Sequence, residues 1–238
     1  MTQRPFRFAL SVNRLHESTK DWLRSLQMAD DLGLSQVVLG DHVGEQRYAS
    51  VLALASGASV NGRLRFGTSV FNNDFRHPVI SAKDVATLDV MSEGRVELGL
   101  GARRVAPDYG TTGSIRDSGR IRIERLEESV QIIRGLLGSG PVTFEESAGD
   151  RIGPIELKIL VHAVSAAHDP QTGAEQLASG FGLSVAEALE SPYLLIGPIA
   201  KIADDVMSLR ASLGLSYFTV RYADAEAFAP VVEILSGG

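Results

Sequence analysis

The stretch RFGTSVFNNDFRHPVISAKDVATLDVMSEGRVELGLGA, residues 65–102, governs how the rest of the chain is read. An apolar and β-branched run, Leu64–Phe71, passes through a polar turn into a helical pattern, and a second run, Arg95–Leu100, follows. His77-Pro78 marks the helix start, because proline in a first turn gives up an N–H that has no intrahelical partner. Ile80, Val85, Leu88 and Met91 supply its apolar positions, and Gly94 its stop. Strand, helix and strand at a spacing of about thirty residues make the unit from which parallel sheets are built.

Upstream, Phe6–Val12 and Gln36–Leu39 read as strands of the same rhythm. Ser18 caps a helix carrying Trp22, Leu26 and Ala29, which Gly33 turns. Tyr48–Val60 is a small-residue helix, apolar on most faces, which predicts burial against a neighbour. Downstream, Arg122–Leu137 is amphipathic, with Leu126, Val130, Ile133 and Leu137 on one stripe. The rhythm then breaks in GSGPVTFEESAGDRIGP, residues 138–154, where only Val142–Phe144 is strand-like. Ile155–Val164 is a strong strand, and helical stretches follow at Gln171–Gly180 and Val185–Leu189. Tyr193–Ile196 is a short apolar run before Gly197-Pro198, which opens a helix to Leu213. Leu215–Arg221 is the last strand and Ala225–Leu235 the closing helix.

These patterns hold six strands. A closed TIM barrel has eight and typically about 250 residues. The expected architecture is therefore α/β, a parallel (β/α) TIM-barrel-like fold, either incomplete or with two strands hidden in weak segments. No linker or shift of composition divides residues 1–238, so one domain is expected. A net charge of −6 and a pI near 5.4 argue against nucleic acid or an acidic membrane as partner. With no cysteine, disulfides, thiolate metal sites and cysteine nucleophiles are excluded. MTQRPFRFAL leads straight into a strand pattern without the apolar region of a signal peptide. No run approaches the roughly 18 apolar residues that span a bilayer. A cytoplasmic location is the default expectation.

Residues 65–102 resemble the luciferase-like monooxygenase superfamily, and in particular its deazaflavin-dependent actinobacterial branch. GDHVG at 40–44, DYGTTG at 108–113 and RIERLEESVQIIRGLL at 122–137 carry the resemblance onward. SPYLLIGPIAKIADDVMSLRASLGLSYFTVR at 191–221 and EAFAPVVEIL at 226–235 complete it in order. The chain departs from the family pattern twice. Phe144-Glu145 runs directly into Glu146–Arg151, so about two strand–helix units are expected to be deleted near 145–152; the comparison is with the full barrel. In the family that region helps to hold the cofactor's phosphate tail. Gly99-Leu100-Gly101-Ala102 is followed by Arg103-Arg104, where relatives have glycine and then tryptophan, glutamate or another residue.

The resemblance implies a flavin/deazaflavin-dependent oxidoreductase, using coenzyme F420 or FMN on a small organic substrate. Ligand sites in parallel barrels lie at the C-terminal strand ends. His42 would then stand beside the cofactor ring and act in proton transfer, the alternative being a rim histidine bonded to backbone or water. Asp41, Thr68, Ser69, Val70, Phe71, Asn72, Gly99, Gly101 and Ala102 are the implied cofactor-binding residues. In relatives a non-proline cis peptide supports the ring, which carries over to Ser69-Val70; the alternative is a plain buried strand end. Asn72, Asn73 and Asp74 face the cavity mouth or form a turn, and a turn is the safer reading for at least two of them. Gly99, Gly101 and Ala102 would let a planar ring approach the backbone.

Arg103, Arg104 and His16 are the substrate-side candidates. Arg103 has three readings: a clamp for phosphate or carboxylate, a plug in the pocket, or a side chain extended into solvent. Arg76-His77 reads as structural, Glu97 as half of a buried salt bridge, and His162 as a satisfied core histidine. No H-e-x-x-H metal spacing, G-x-S-x-G elbow or phosphate loop is present. The competing reading is a descendant that has lost its cofactor. It would reuse the pocket for a cyclase, lyase or isomerase step, or serve as a non-catalytic partner of a full-length relative. A homodimer is expected, because an incomplete barrel leaves apolar surface and strand edges to cover.

Overall fold

The computed structural model describes residues 4–12, 18–43, 49–102, 106–138 and 158–236. The elements are β1 (Arg7–Ser11), α1 (Thr19–Asp31), β2 (Gln36–Leu39), α2 (Ser50–Val60), β3 (Arg65–Thr68), β4 (Phe71–Asn72), α3 (Pro78–Met91), β5 (Val96–Glu97), β6 (Leu100–Gly101) and α4 (Ala106–Thr112). They continue with α5 (Gly119–Leu137), β7 (Lys158–Val161), β8 (Ala163–Ser165), α6 (Pro170–Phe181), α7 (Val185–Glu190), β9 (Leu194–Ile196), α8 (Ile199–Leu213), β10 (Tyr217–Arg221) and α9 (Ala225–Ser236). Strand and helix alternate and the recorded strand pairs are parallel, as the spacing predicts. The predicted strand at Val142–Phe144 and the suspected deletion lie outside the described residues.

The chain forms two compact units, each assembled from separate stretches, which is why no linker marks them: residues 12–26 with 37–149, and residues 1–11 with 27–36 and 150–238. In the first unit the strands run in the order β5-β3-β2. The predicted strands Leu64–Phe71 and Arg95–Leu100 are each interrupted. Phe66 pairs with Val96 and Gly67 with Glu97 before the break; Phe71 pairs with Leu100 and Asn72 with Gly101 after it. Helix α2 seats on β3 through Gly57, where a Cβ would stand 2.7 Å from Phe66 Cε1 and 3.0 Å from Trp22 Cζ2. The Trp22 indole N–H donates to Ser56 Oγ at 3.0 Å.

Two helix faces differ from expectation. In α3, Val85 and Leu88 are buried, but Ile80 and Met91 point outward and Ser81 and Ala82 take inner positions. Helix α3 packs on both α2 and α5, and small residues at inner positions permit close packing. In α5 the inner row runs through Arg122, half-buried Leu126, Ser129 and Ile133, while Leu137 is exposed. This helix packs on α3 and on the polar turn Asn73–Phe75, so its buried row is partly polar.

In the second unit β10 lies between β1 and β7, with Arg7 opposite Tyr217, Ser11 opposite Arg221 and Val220 opposite Val161. One face packs Phe8, Leu10, Phe218 and Val220 with Phe228 and Val232 of α9, and the Phe8 and Phe228 rings meet edge to face at 5.6 Å. The described part of the predicted strand Ile155–Val164 is broken at His162 into β7 and β8. Tyr193–Ile196, not counted among the predicted strands, contains β9, which pairs with β8 through Ala163 and Leu194. Helices α6 and α7 cover this pair with Ala174, Ala178 and Ala188. Asp169 caps α6, and Ser184 with Glu187 forms a capping box on α7.

Candidate active site

The chain at the C-terminal ends of β2, β3 and β5 is joined by hydrogen bonds within the first unit. The Ser69 N–H donates to Leu39 O at 2.7 Å. Thr68 Oγ1 donates to Gly99 O at 2.8 Å and accepts from the Gly99 N–H at 2.9 Å. The Phe71 N–H also reaches Gly99 O, at 2.8 Å. At the break between β3 and β4 the Ser69–Val70 peptide is cis, as the resemblance implies.

Val70 is 41% exposed, whereas Phe71 is buried. A Cβ at Gly101 would lie 2.4 Å from Val70 Cγ2, and one at Gly99 2.4 Å from Thr68 O. The glycines therefore accommodate Val70 and the neighbouring strand, and the surface above them is Val70 itself. This differs from the expected open glycine shelf. The reason is steric: side chain and backbone of residues 68–70 already fill that space.

Asp41 is an anchor. Arg76 donates from Nε to Asp41 Oδ2 at 2.6 Å and from Nη2 to Oδ1 at 2.9 Å. The Ser50 hydroxyl donates to Oδ1 at 3.0 Å, and the Asn72 N–H to Oδ2 at 3.2 Å. Burial alone would raise the Asp41 carboxyl, but the Arg76 bonds and charge, with the Asn72 and Ser50 donors, outweigh it and hold the group below its ordinary value. The Arg76 guanidinium also lies over the Phe71 ring, 4.3 Å from its centroid. Arg76 is thus structural, as expected, and His77 caps α3 by accepting from the Val79 N–H at 3.3 Å.

His42 follows Asp41 directly. Its side chain is 34% exposed, and Nδ1 faces Asp108 Oδ2 at 3.6 Å, with the Asp108 side chain only 4% exposed. Asp108 comes from α4, inside DYGTTG, and sequence reasoning did not single it out. Pro107 near the start of a short helix was the available signal. The next residue, Tyr109, donates its hydroxyl to Asp74, which also pairs with Arg125 Nη1 at 2.8 Å. Burial, followed by the bond to Asp74 and its charge, pushes the Tyr109 hydroxyl up to about 12. Asn72 Oδ1 accepts from the Asp74 N–H at 3.1 Å, so residues 72–75 form the turn expected of them.

A groove of about 640 Å³ beside Asp74 is lined by Arg76, His77, Arg125 and Glu128, and His42 is not among its walls. Its cations are already matched by Asp41, Asp74, Asp84 and Asp117, so it offers little uncompensated charge. His16, Arg103 and Arg104 lie outside the described residues. Glu97 pairs with Arg65, but at the surface, because both side chains keep a quarter or more of their exposure. His162 is half-buried rather than a core residue, because its ring lies beside Arg221 and edge on to the exposed rings of Phe181 and Tyr193.

Parallel strands that alternate with helices and gather polar groups in the loops after their C-terminal ends fit a (β/α)-barrel type of scaffold. The family model of luciferase-like monooxygenases matches residues 5–179, and the chain belongs to this family. It is similar to an F420-dependent glucose-6-phosphate dehydrogenase of Amycolatopsis mediterranei, with 30% identity over 147 residues, 59% of this chain and 43% of that one. It is also similar to a 5,10-methylenetetrahydromethanopterin reductase of Methanopyrus kandleri, with 36% identity over 76 residues, 32% of this chain and 21% of that one. The matched stretches cover less than half of these relatives. Among solved structures, an F420-dependent secondary alcohol dehydrogenase in complex with an F420-acetone adduct superposes with a TM-score of 0.73 at 15% identity, covering 98% of each chain. EDTA monooxygenase from Chelativorans sp. BNC1 gives 0.71 at 12% identity, covering 98% of this chain and 94% of that one. Among the described residues no helix is long and apolar enough to cross a membrane.

Proposed function

We propose that the chain is an oxidoreductase of the luciferase-like family that binds reduced F420 or FMN at the His42–Val70 rim and acts on a small organic substrate. The observation that carries this reading is the joining of the three loops. The exposed side chain of Val70 occupies the space that Gly101 leaves open, and His42 stands on the loop that Leu39 O and Asp41 bind to residues 69–72. An apolar platform with a polar imidazole on the adjoining loop fits a flat heteroaromatic ring. When bound, such a cofactor supplies the two-electron redox chemistry.

The chain's own residues have three tasks. Val70 supports one face of the ring and excludes water from it. Asp108, facing His42 Nδ1, favours the proton on that atom and orients the imidazole, and proton exchange with substrate then falls to Nε2. The Asp41–Arg76 pair fixes the loop that carries His42. Titration of the purified chain with F420, followed by quenching of deazaflavin fluorescence, is expected to saturate; a parallel titration with FMN distinguishes the two cofactors. Absence of saturable binding of both would overturn the reading.

The family resemblance and the outer faces of α2 and α3 support a homodimer. Leu52 and Val60 on α2, and Ile80, Val90 and Met91 on α3, are all exposed. Large apolar side chains exposed on two helices that pack on each other are a surface a partner can cover. Native mass measurement at micromolar concentration is expected to give the dimer, and Val90→Glu to shift it to monomer. A monomer only, for the unaltered chain, contradicts the proposal.

A further inference from the structure

The second unit carries a polar face that the redox reading does not use. Opposite the α9 side of the sheet stand three cations, Arg7 on β1, Lys158 on β7 and Arg221 on β10. Arg7 and Lys158 both lie over the Tyr217 ring, at 4.6 and 5.0 Å from its centroid. Arg221 ends β10, and one step beyond the Val220–Val161 pair it meets His162. Arg221 Nη2 is 2.8 Å from His162 Nδ1. A guanidinium has donors and no acceptor, so Nδ1 must accept. The imidazole is therefore neutral and carries its proton on Nε2. Burial, and then the Arg221 charge, lower the His162 pKa, in keeping with that form.

Among the described residues no carboxylate forms an ion pair with Arg221. Asp224, the acidic group nearby in sequence and field, turns Oδ1 to the Val164 N–H at 3.2 Å. The guanidinium is thus held in place by a neutral partner while most of its N–H donors remain for another acceptor. Around His162 stand two rings, Phe181 at 6.2 Å and Tyr193 at 5.8 Å, both edge on. Both rings are themselves exposed. A pre-positioned fork of donors matches the planar oxygens of a carboxylate or phosphate, and aromatic rings beside it match an apolar body.

We propose that Arg221 and His162 form a binding site for the oxyanion of a small organic ligand, carboxylate or phosphate, whose apolar body rests against Phe181 and Tyr193. The site lies wholly within the second unit and does not depend on the redox reading.

The test is a titration of the full chain with benzoate and with phenyl phosphate, following the His162 imidazole resonances. Acetate and inorganic phosphate serve as probes without the ring. Either aryl ligand is expected to shift the His162 signal saturably, and the tighter one assigns carboxylate or phosphate. Arg221→Gln is expected to weaken binding about tenfold or more, as loss of a charge-assisted hydrogen-bonding partner does. Phe181→Ala is expected to weaken the aryl ligands and leave acetate and phosphate unchanged. No saturable shift, or equal affinity in Arg221→Gln, would overturn the proposal. Should that variant fail to fold, Arg221→Lys keeps the charge and loses the fork; affinity equal to the unaltered chain would overturn it as well.

Discussion

Arg76→Ala is expected to lower the stability of the protein by about 1–3 kcal/mol, toward the upper end because the acceptor left without its partner in a partly buried site is charged. The Asp41 side chain is only 15% exposed, and Arg76 supplies two of its bonds. Without the guanidinium, the Ser50 and Asn72 donors remain, but the opposing charge does not. A denaturant midpoint series measures the loss. The double variant Asp41→Asn, Arg76→Ala should lose less than the single, since no charge is then left buried. The effect also has a sign in pH. The folded Asp41 carboxyl sits below its ordinary value, so its contribution is present above the unfolded pKa near 3.9 and is lost as pH falls through the folded one. In the Arg76→Ala variant burial is opposed only by the Asn72 and Ser50 donors, so the group rises relative to its position in the unaltered protein. The gap between the two proteins should therefore narrow on acidification; a constant gap between neutral pH and the acid limb would show that the ion pair is not its source.

The second large effect concerns chemistry. His42→Ala is expected to reduce turnover by about 10²–10⁴-fold, the range for removing a general acid or base, with little change in cofactor affinity. His42 is one-third exposed, and its removal leaves untouched the Arg76, Ser50 and Asn72 partners through which Asp41 anchors the loop. Asp108→Asn keeps the shape and removes the charge facing Nδ1, and a smaller loss is expected from it. A structural histidine would show the reverse: weakened cofactor binding or stability, and unchanged turnover in the protein that remains bound. Single-turnover measurement at saturating cofactor separates the two.

The alternation of strands and helices was legible because its signals are local. Apolar runs, Ser18, Gly33, His77-Pro78 and Gly94 each act on the few residues around them. What was not legible depends on distant partners. Periodicity placed Met91 and Leu137 inside, yet which stripe of α3 or α5 is buried depends on what packs there: α5 meets a polar turn at 73–75, and Arg122 and Ser129 stand in its buried row. The interruption of a strand at His162 belongs to the pairing of its two halves with different neighbours, β10 and β9. The roles at the rim divided in the same way. His42 and Ser69-Val70 came from family likeness, which carries residue identities across a motif. Asp108 did not, because its link to His42 spans a gap of sixty-six positions along the chain.

The interlock of Val70 with Gly99 and Gly101 limits how this protein can diverge. A methyl group at Gly99 would collide with the Thr68 carbonyl, which is backbone and cannot turn aside, and one at Gly101 would displace the Val70 side chain itself, so selection for a new substrate cannot easily begin at either. Variation is instead channelled into the tip of Val70 and into side chains outside the strand pair. A library built for altered specificity should leave both glycines untouched and spend its diversity on those neighbours.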